Sequence, residues 1–230
     1  MAYALFDWDN TLRDGWTLEY WITHLVTVGV LTRDNEPEWR ALRARYESGR
    51  IGHNRLALEA NRGYAREMAG RPAREIVERA EAFVAGGDRD RVFPWAAGLL
   101  HRLAGDGVRP VIITGALADL VRVHLRAMGL ASGEVDVRGF TLAVDRDGRY
   151  TGRIRANPGV GAAKRRLVQR LAATGEVTLA AGDSVSDLPL LRAAARQLIV
   201  GPAAAELSRE FGATATTISS PATLTGVTIR

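Results

Sequence analysis

Tyr3-Ala4-Leu5-Phe6-Asp7-Trp8-Asp9-Asn10-Thr11-Leu12 decides the reading of this chain. Residues 2–6 form an unbroken apolar run, so they read as a short strand buried on both faces. Asp7 and Asp9 arrive where that strand should end. In open parallel sheets, ligands gather outside the carboxyl ends of the strands. The pair therefore stands where chemistry is usually done. The bland alternative is that Asp9 or Asn10 only caps the next helix. Asp-x-Asp alone does not choose between the two; residues far downstream do.

Outward from this stretch, Asp14-Gly15 reads as a turn. No strand pattern follows until about residue 86. Residues 16–30 carry apolar side chains at helical intervals (Trp16, Tyr20, Trp21, Leu25, Val28). Residues 37–46, opened by Asn35 or Glu36, then 54–68 and 72–84, read as three more helices. The expected organisation is a helical lobe over residues 14–91, inserted into a core made of 1–13 and 92–230. Trp16, Trp21 and Trp39 fall in the lobe, where packing its helices is their expected work. Trp16 follows the Asp-x-Asp loop closely and is also a candidate for a substrate pocket.

From Val92 the pattern alternates. Helices are expected over 94–104, 117–128, 159–173, 187–195 and 203–211. Strands are expected over 109–113, 177–181, 198–200 and 214–218, with a hairpin of 135–144 and 149–155 around Asp145-Arg146-Asp147-Gly148. The Thr- and Ser-rich residues after Ile218 carry no clear pattern. This alternation predicts an α/β fold: a Rossmann-like parallel sheet with helices on both faces, plus the inserted helical lobe.

Composition narrows the function. The chain has 230 residues, with 47% hydrophobic and 25% charged, which makes it globular material with a sizeable core. Cysteine is absent, which excludes a disulfide framework and any thiolate site. No apolar run is long enough to cross a bilayer, and no secretory leader is expected, since no basic stretch followed by an apolar one is seen. A cytoplasmic protein without membrane contact is expected, and a monomer or homodimer suffices. The formal net charge of +5 raises the question of nucleic acid. However, the arginines alternate with acids at helical spacing, and no basic stripe is interleaved with aromatics, so nucleic acid is not expected. All but one of the 31 basic residues are arginine; the single lysine is Lys164. In an arginine-biased chain, a retained lysine suggests a site that needs a compact ammonium.

Polar groups recur at strand ends: Asp7 and Asp9, then Thr114-Gly115, then Asp183 and Asp187 in Gly182-Asp183-Ser184-Val185-Ser186-Asp187. Lys164 lies on the helix before the last of these. Four acids at such ends repel one another unless a cation neutralises them, and carboxylate oxygens suit Mg²⁺. A phosphate would then bridge the metal, the ammonium, the Thr hydroxyl and backbone N–H groups. Gly159-Val160-Gly161-Ala162-Ala163-Lys164 imitates a nucleotide-binding loop, but it follows Asn157-Pro158 rather than a strand.

These motifs together resemble the haloacid dehalogenase-like (HAD) superfamily, in its phosphoserine phosphatase-like branch. The matching pieces are Leu5-Phe6-Asp7-Trp8-Asp9-Asn10-Thr11-Leu12, Ile112-Ile113-Thr114-Gly115, Lys164 and Gly182-Asp183-Ser184-Val185-Ser186-Asp187-Leu188, in that order. The resemblance implies a Mg²⁺-dependent phosphatase of a small phosphorylated metabolite, acting through an aspartyl-phosphate. It implies Asp7 as nucleophile and Asp9 as general acid and base. Thr114, the backbone at Gly115 and Lys164 would hold the phosphate. Asp7, Asp183 and the carbonyl of Asp9 would hold Mg²⁺, with Asp187 as ligand or support. A phosphotransferase on the same scaffold would use the same residues. The branch places a glutamate nine residues after its nucleophile; here that position is Trp16, with Glu19 one helical turn on. Its cap residues fall near His53 and Ala60. The expected substrate is therefore a larger or more apolar phosphomonoester than phosphoserine, such as a biosynthetic intermediate, with Trp16, Glu19 and His53 as pocket candidates. Phosphoserine itself remains the alternative.

Overall fold

The computed structural model describes residues 1–223. Residues 224–230 lie outside the described residues, as do the side chains of residues 35, 36 and 223. The expected capping by Asn35 or Glu36 is therefore outside the description. Seven strands form one sheet: β1 (Ala2–Phe6), β2 (Val108–Leu117), β3 (Asp136–Val144), β4 (Tyr150–Ala156), β5 (Glu176–Gly182), β6 (Arg196–Val200) and β7 (Ala215–Ile218). Their order is β4-β3-β2-β1-β5-β6-β7. Every pairing is parallel except β3 with β4.

The apolar run of β1 is explained by alternation between two covered faces. Ala4 and Phe6 join one buried cluster, while Tyr3 and Leu5 join another. Ile112 against Val111 and Ile113, and Leu198 against Ile199, divide the same way. One face is covered by α5 (Pro94–Gly105) and α6 (Ala118–Ala127). The other is covered by α7 (Gly161–Thr174), α8 (Leu188–Leu191) and α9 (Ala204–Leu207). Helix numbers one to four belong to the segment between β1 and β2: α1 (Thr17–Thr27), α2 (Glu36–Glu47), α3 (His53–Glu67) and α4 (Ala73–Ala85). This segment does not have a core of its own. Trp21 of α1, Tyr64 of α3 and Ile76 of α4 share one apolar cluster with Leu120 of α6, Phe140 of β3 and Tyr150 of β4. Backbone bonds from Ala73 N–H to Gly148 O (2.9 Å) and from Tyr150 N–H to Arg71 O (2.9 Å) tie it to the β3–β4 hairpin.

Three expected elements differ, each for a local reason. β2 runs on to Leu117 instead of ending at Ile113, but its pairing with β3 slips between those residues. Thr114 Oγ accepts the Ala116 N–H at 3.0 Å inside that irregularity. The helix expected over 187–195 is only α8. Gln197 Nε2 donates to the carbonyls of Leu191 and Ala194, and Ala195 N–H donates to Val177 O, so the chain is drawn into the sheet. The helix over 203–211 shortens to α9; Ser208 Oγ bonds back to the Ala205 carbonyl there.

β1 is the pivot of the sheet. β2, β3 and β4 lie to one side of it and β5, β6 and β7 to the other. The order reverses at β1, which opens a crevice at the carboxyl ends of β1, β2 and β5. No described helix is long and apolar enough to cross a membrane.

Candidate active site

The crevice collects the acids that the sequence scatters. Asp7 leaves β1 with its N–H on Ala181 O of β5 at 3.0 Å. Lys164, in the first turns of α7, places Nζ 2.9 Å from Asp7 Oδ1 and 2.6 Å from Asp187 Oδ1. Asp187 Oδ2 accepts the N–H groups of Asp183 (3.2 Å) and Ser184 (3.1 Å) and the Ser184 hydroxyl (3.1 Å). Thr11 Oγ donates to Asp183 Oδ1 at 3.3 Å. Ligand oxygens of Asp7, Asp183 and Asp187 lie within 4.8 Å of one another.

Two glycines allow this closeness. A Cβ on Gly159 would stand 1.7 Å from the Thr114 carbonyl oxygen, and one on Gly182 would stand 2.4 Å from the Asp187 Cβ. Asn10 takes the left-handed conformation at φ 59°, which asparagine tolerates. Its Oδ1 accepts the Gly15 N–H at 3.0 Å and so turns the loop after Asp9.

Electrostatics follow from crowding and burial. Burial, with Asp187 and Asp9 nearby, outweighs the opposing Lys164 ammonium and pushes Asp7 up to about 7. Burial, together with Asp187 and Asp7, pushes Asp183 up to about 8. Burial would raise Asp187 too, but Lys164 and the loop N–H groups outweigh it and hold this carboxyl below the usual range. Asp187 is therefore the ionised anchor of the lysine, and its oxygens are already engaged.

Asp9 is held by a chain of contacts that the sequence does not reveal. Its Oδ1 accepts the Thr17 N–H at 3.0 Å and the Thr17 hydroxyl as well. Thr17 Oγ in turn accepts from the buried Trp8 Nε1 at 2.9 Å. Since Thr17 opens α1, the helix-capping reading of Asp9 also holds in part. Burial raises the Asp9 pKa against the pull of these Thr17 bonds. A second missed group lies behind the loop. Buried Arg13 Nη2 grips Asp88 at 2.6 and 2.8 Å, and His124 Nε2 meets the same carboxylate at 2.8 Å.

A cavity of about 790 Å³ opens above this floor. Asp7, Asp9, Thr114, Gly115, Lys164 and Asp183 line its base, while Asp187 stands behind the lysine. Asn61 of α3 donates to the Gly115 carbonyl at 3.0 Å, joining the helical segment to the floor. Trp16, Glu19 and His53 all line the walls. The Glu19 carboxylate, however, is paired with Arg43 at 2.6 Å. Desolvation lowers the pKa of His53.

The donor set fits a divalent metal. It is all oxygen, and one ammonium faces three carboxylates, so negative charge remains in surplus. An α/β protein with an acidic cluster and one lysine at its topological switch point is a hydrolase scaffold of a specific kind. The model of the haloacid dehalogenase-like hydrolases matches residues 4–192, and the chain belongs to that family. It is similar to a protein of unknown function from Bordetella pertussis Tohama I (25% identity, TM-score 0.75, 95% of this chain and 98% of that one). It is also similar to a substrate-bound phosphoserine phosphatase (16% identity, TM-score 0.62, 95% and 93% covered). Cytosolic 5'-nucleotidase IIIB bound to cytidine is another similar structure (14% identity, TM-score 0.64, 95% and 80% covered). The last two likenesses are of fold. Among curated proteins none matches the chain.

Proposed function

We propose that the protein is a Mg²⁺-dependent phosphatase of a small phosphomonoester other than phosphoserine, with residues 14–91 acting as its cap. The observation that carries this reading is the Lys164 ammonium, bonded at once to Asp7 and Asp187 beside Asp183. An Arg-rich chain keeps its one lysine there, where a compact ammonium on a flexible stem reaches both carboxylates at once.

Asp7 attacks phosphorus, and the bond to the ester oxygen breaks as an aspartyl-phosphate forms. Asp9 gives its proton to the departing oxygen; burial favours the protonated form this requires. Thr17 holds Asp9 Oδ1, so Oδ2 is the oxygen that carries the proton. Asp9 then takes a proton from water, whose oxygen attacks phosphorus. The bond to Asp7 breaks and inorganic phosphate leaves. The Thr114 hydroxyl accepts the Ala116 N–H and keeps its own proton to donate to a phosphoryl oxygen. Asp7, Asp183 and the Asp9 carbonyl would hold Mg²⁺, which supplies charge neutralisation for phosphate and carboxylates.

The test is phosphate release from 4-nitrophenyl phosphate with Mg²⁺ and with EDTA, for the wild type and Asp7→Asn. Turnover that needs Mg²⁺ and vanishes in the variant supports the reading. Full-rate hydrolysis by Asp7→Asn sinks the nucleophile assignment. Haloacid dehalogenation that persists in EDTA would point to the other chemistry of this scaffold.

A further inference from the structure

We propose that the substrate's organic part is a bulky aromatic or apolar group without an amine, inserted between α1, α2 and α3; this rests on the phosphatase reading above. Two observations carry it. The first is a cluster of three mutually packed rings from three separate segments. The centroids of Trp16, Tyr46 and His53 lie 5.7, 6.0 and 6.2 Å apart in pairs, and all three line the cavity. Asp7, Asp9 and Lys164 line the same cavity, so the ring cluster and the floor face one space. Rings at these separations pack on one another, so together they present one continuous aromatic surface against which a flat group can lie. Beyond them the wall is aliphatic and aromatic: Leu18, Ile22 and Val26 from α1, Trp39 and Leu42 from α2, and Leu56 from α3.

The second observation is charge. Above the floor, the described wall carries one carboxylate, Glu19. Glu19 is bonded to Arg43 at 2.6 Å, and the Arg43 guanidinium lies 5.0 Å from the Trp16 ring centroid. An ammonium on the substrate would find that carboxylate already paired and apolar surface around it, and desolvating it without a counter-charge of its own is unfavourable. A cavity of about 790 Å³ also exceeds what a three-carbon amino acid fills, and it lies in the range that encloses ligands of many more atoms. Glycine packing adds to the wall: the Trp39 ring lies 3.2 Å from where a Gly63 Cβ would stand, which fixes that indole against α3.

The experiment compares three phosphate esters with similar alkyl leaving oxygens, in Mg²⁺: 2-(1-naphthyl)ethyl phosphate, ethyl phosphate and O-phosphoserine. The kcat/KM of the naphthyl ester should exceed the other two by about 100-fold, since each buried methylene already gives 10-fold or more. Ile22→Glu places a carboxylate on the wall and should shrink the naphthyl-to-ethyl ratio about tenfold, with the naphthyl-to-phosphoserine ratio shrinking further. Ala60→Phe fills the same space without a charge and should shrink the naphthyl-to-ethyl ratio as well, so the test survives if Ile22→Glu fails to fold. O-Phosphoserine hydrolysed as well as the naphthyl ester overturns this inference and leaves the phosphatase reading standing. So do ratios unmoved by Ala60→Phe. No release from 4-nitrophenyl phosphate by the wild type overturns the phosphatase reading, and this inference with it.

Discussion

Thr17→Val keeps the branched shape of the side chain and deletes its hydroxyl. Two bonds disappear. The Asp9 carboxyl loses one of its two Thr17 donors and keeps only the backbone N–H at 3.0 Å. Trp8 Nε1, fully buried, loses its acceptor at 2.9 Å. An unsatisfied buried donor costs about 1–3 kcal/mol, so the variant should lose that much stability in urea unfolding. A hydrogen bond to a charged group contributes about 1.5–3 kcal/mol. If this bond aims Asp9 at the leaving oxygen, kcat/KM should fall about 10- to 100-fold for an ester that needs its proton. Ethyl phosphate is such an ester, whereas 4-nitrophenolate departs almost unaided. Because kcat/KM covers the chain only through departure of the leaving group, the two esters should respond unequally. Ethyl phosphate should lose the full factor and 4-nitrophenyl phosphate only a small part of it.

The pH profile supplies a second sign. The Thr17 bonds oppose the upward push of burial on the Asp9 pKa. Removing the hydroxyl therefore raises that pKa further, and the alkaline limb of kcat/KM, where the acid loses its proton, should move to higher pH. Thr17→Ser restores the hydroxyl and should restore both rate and limb. Equal losses on the two esters, or an unmoved limb in a folded Thr17→Val, would refute the claim that Thr17 orients the acid.

Lys164→Arg should lose about 10²–10³ in kcat with unchanged circular dichroism, the scale set by removing one preorganised donor; wild-type rates would make the lone lysine a coincidence. Asp88→Asn should cost about 3–5 kcal/mol in urea unfolding at pH 7, since buried Arg13 is left without its counter-charge. Burial pushes Asp88 up, but His124 and Arg13 outweigh it and hold its pKa low. Its contribution is thus complete above about pH 4 and lost as pH falls through the folded pKa, so the gap between variant and wild type should narrow below pH 4; a constant gap would contradict the assignment. Gly159→Ala puts a methyl into the Thr114 carbonyl; about 1–3 kcal/mol of stability should be lost, and KM for 4-nitrophenyl phosphate should rise as Thr114 shifts. An unchanged KM would separate that contact from phosphate binding.

What the sequence made legible, and what it hid, divides along one physical line. Groups fixed by the backbone pattern could be read. Residues 2–6 are apolar because both faces of β1 are covered, so the strand and the position of Asp7 at its end follow directly. The other strand-end groups followed likewise, because parallel strands carry their ends to the same edge; Thr114 sits within β2 rather than after it only because the ladder slips there. Partners chosen by side chains across the fold could not be read. Nothing in the spacing of Trp8, Asp9 and Thr17 announces a bond chain, since the loop geometry that joins them depends on Asn10 at positive φ. Arg13, Asp88 and His124 look like three ordinary surface polar residues until α6 brings His124 to a carboxylate 36 positions away. Glu19 hides a partner in the same way. It lines the cavity, but nothing in its spacing announces Arg43, which arrives from α2 and pairs with it. On the proposed phosphatase reading, the chemistry of the wall depends on pairings as well as on residue types, so substituting Arg43 should change it more than substituting Glu19, whose carboxylate Arg43 already neutralises. Arg43→Leu frees a carboxylate beside Trp16, and O-phosphoserine should then gain on ethyl phosphate in kcat/KM, whereas Glu19→Gln should leave that comparison where it was.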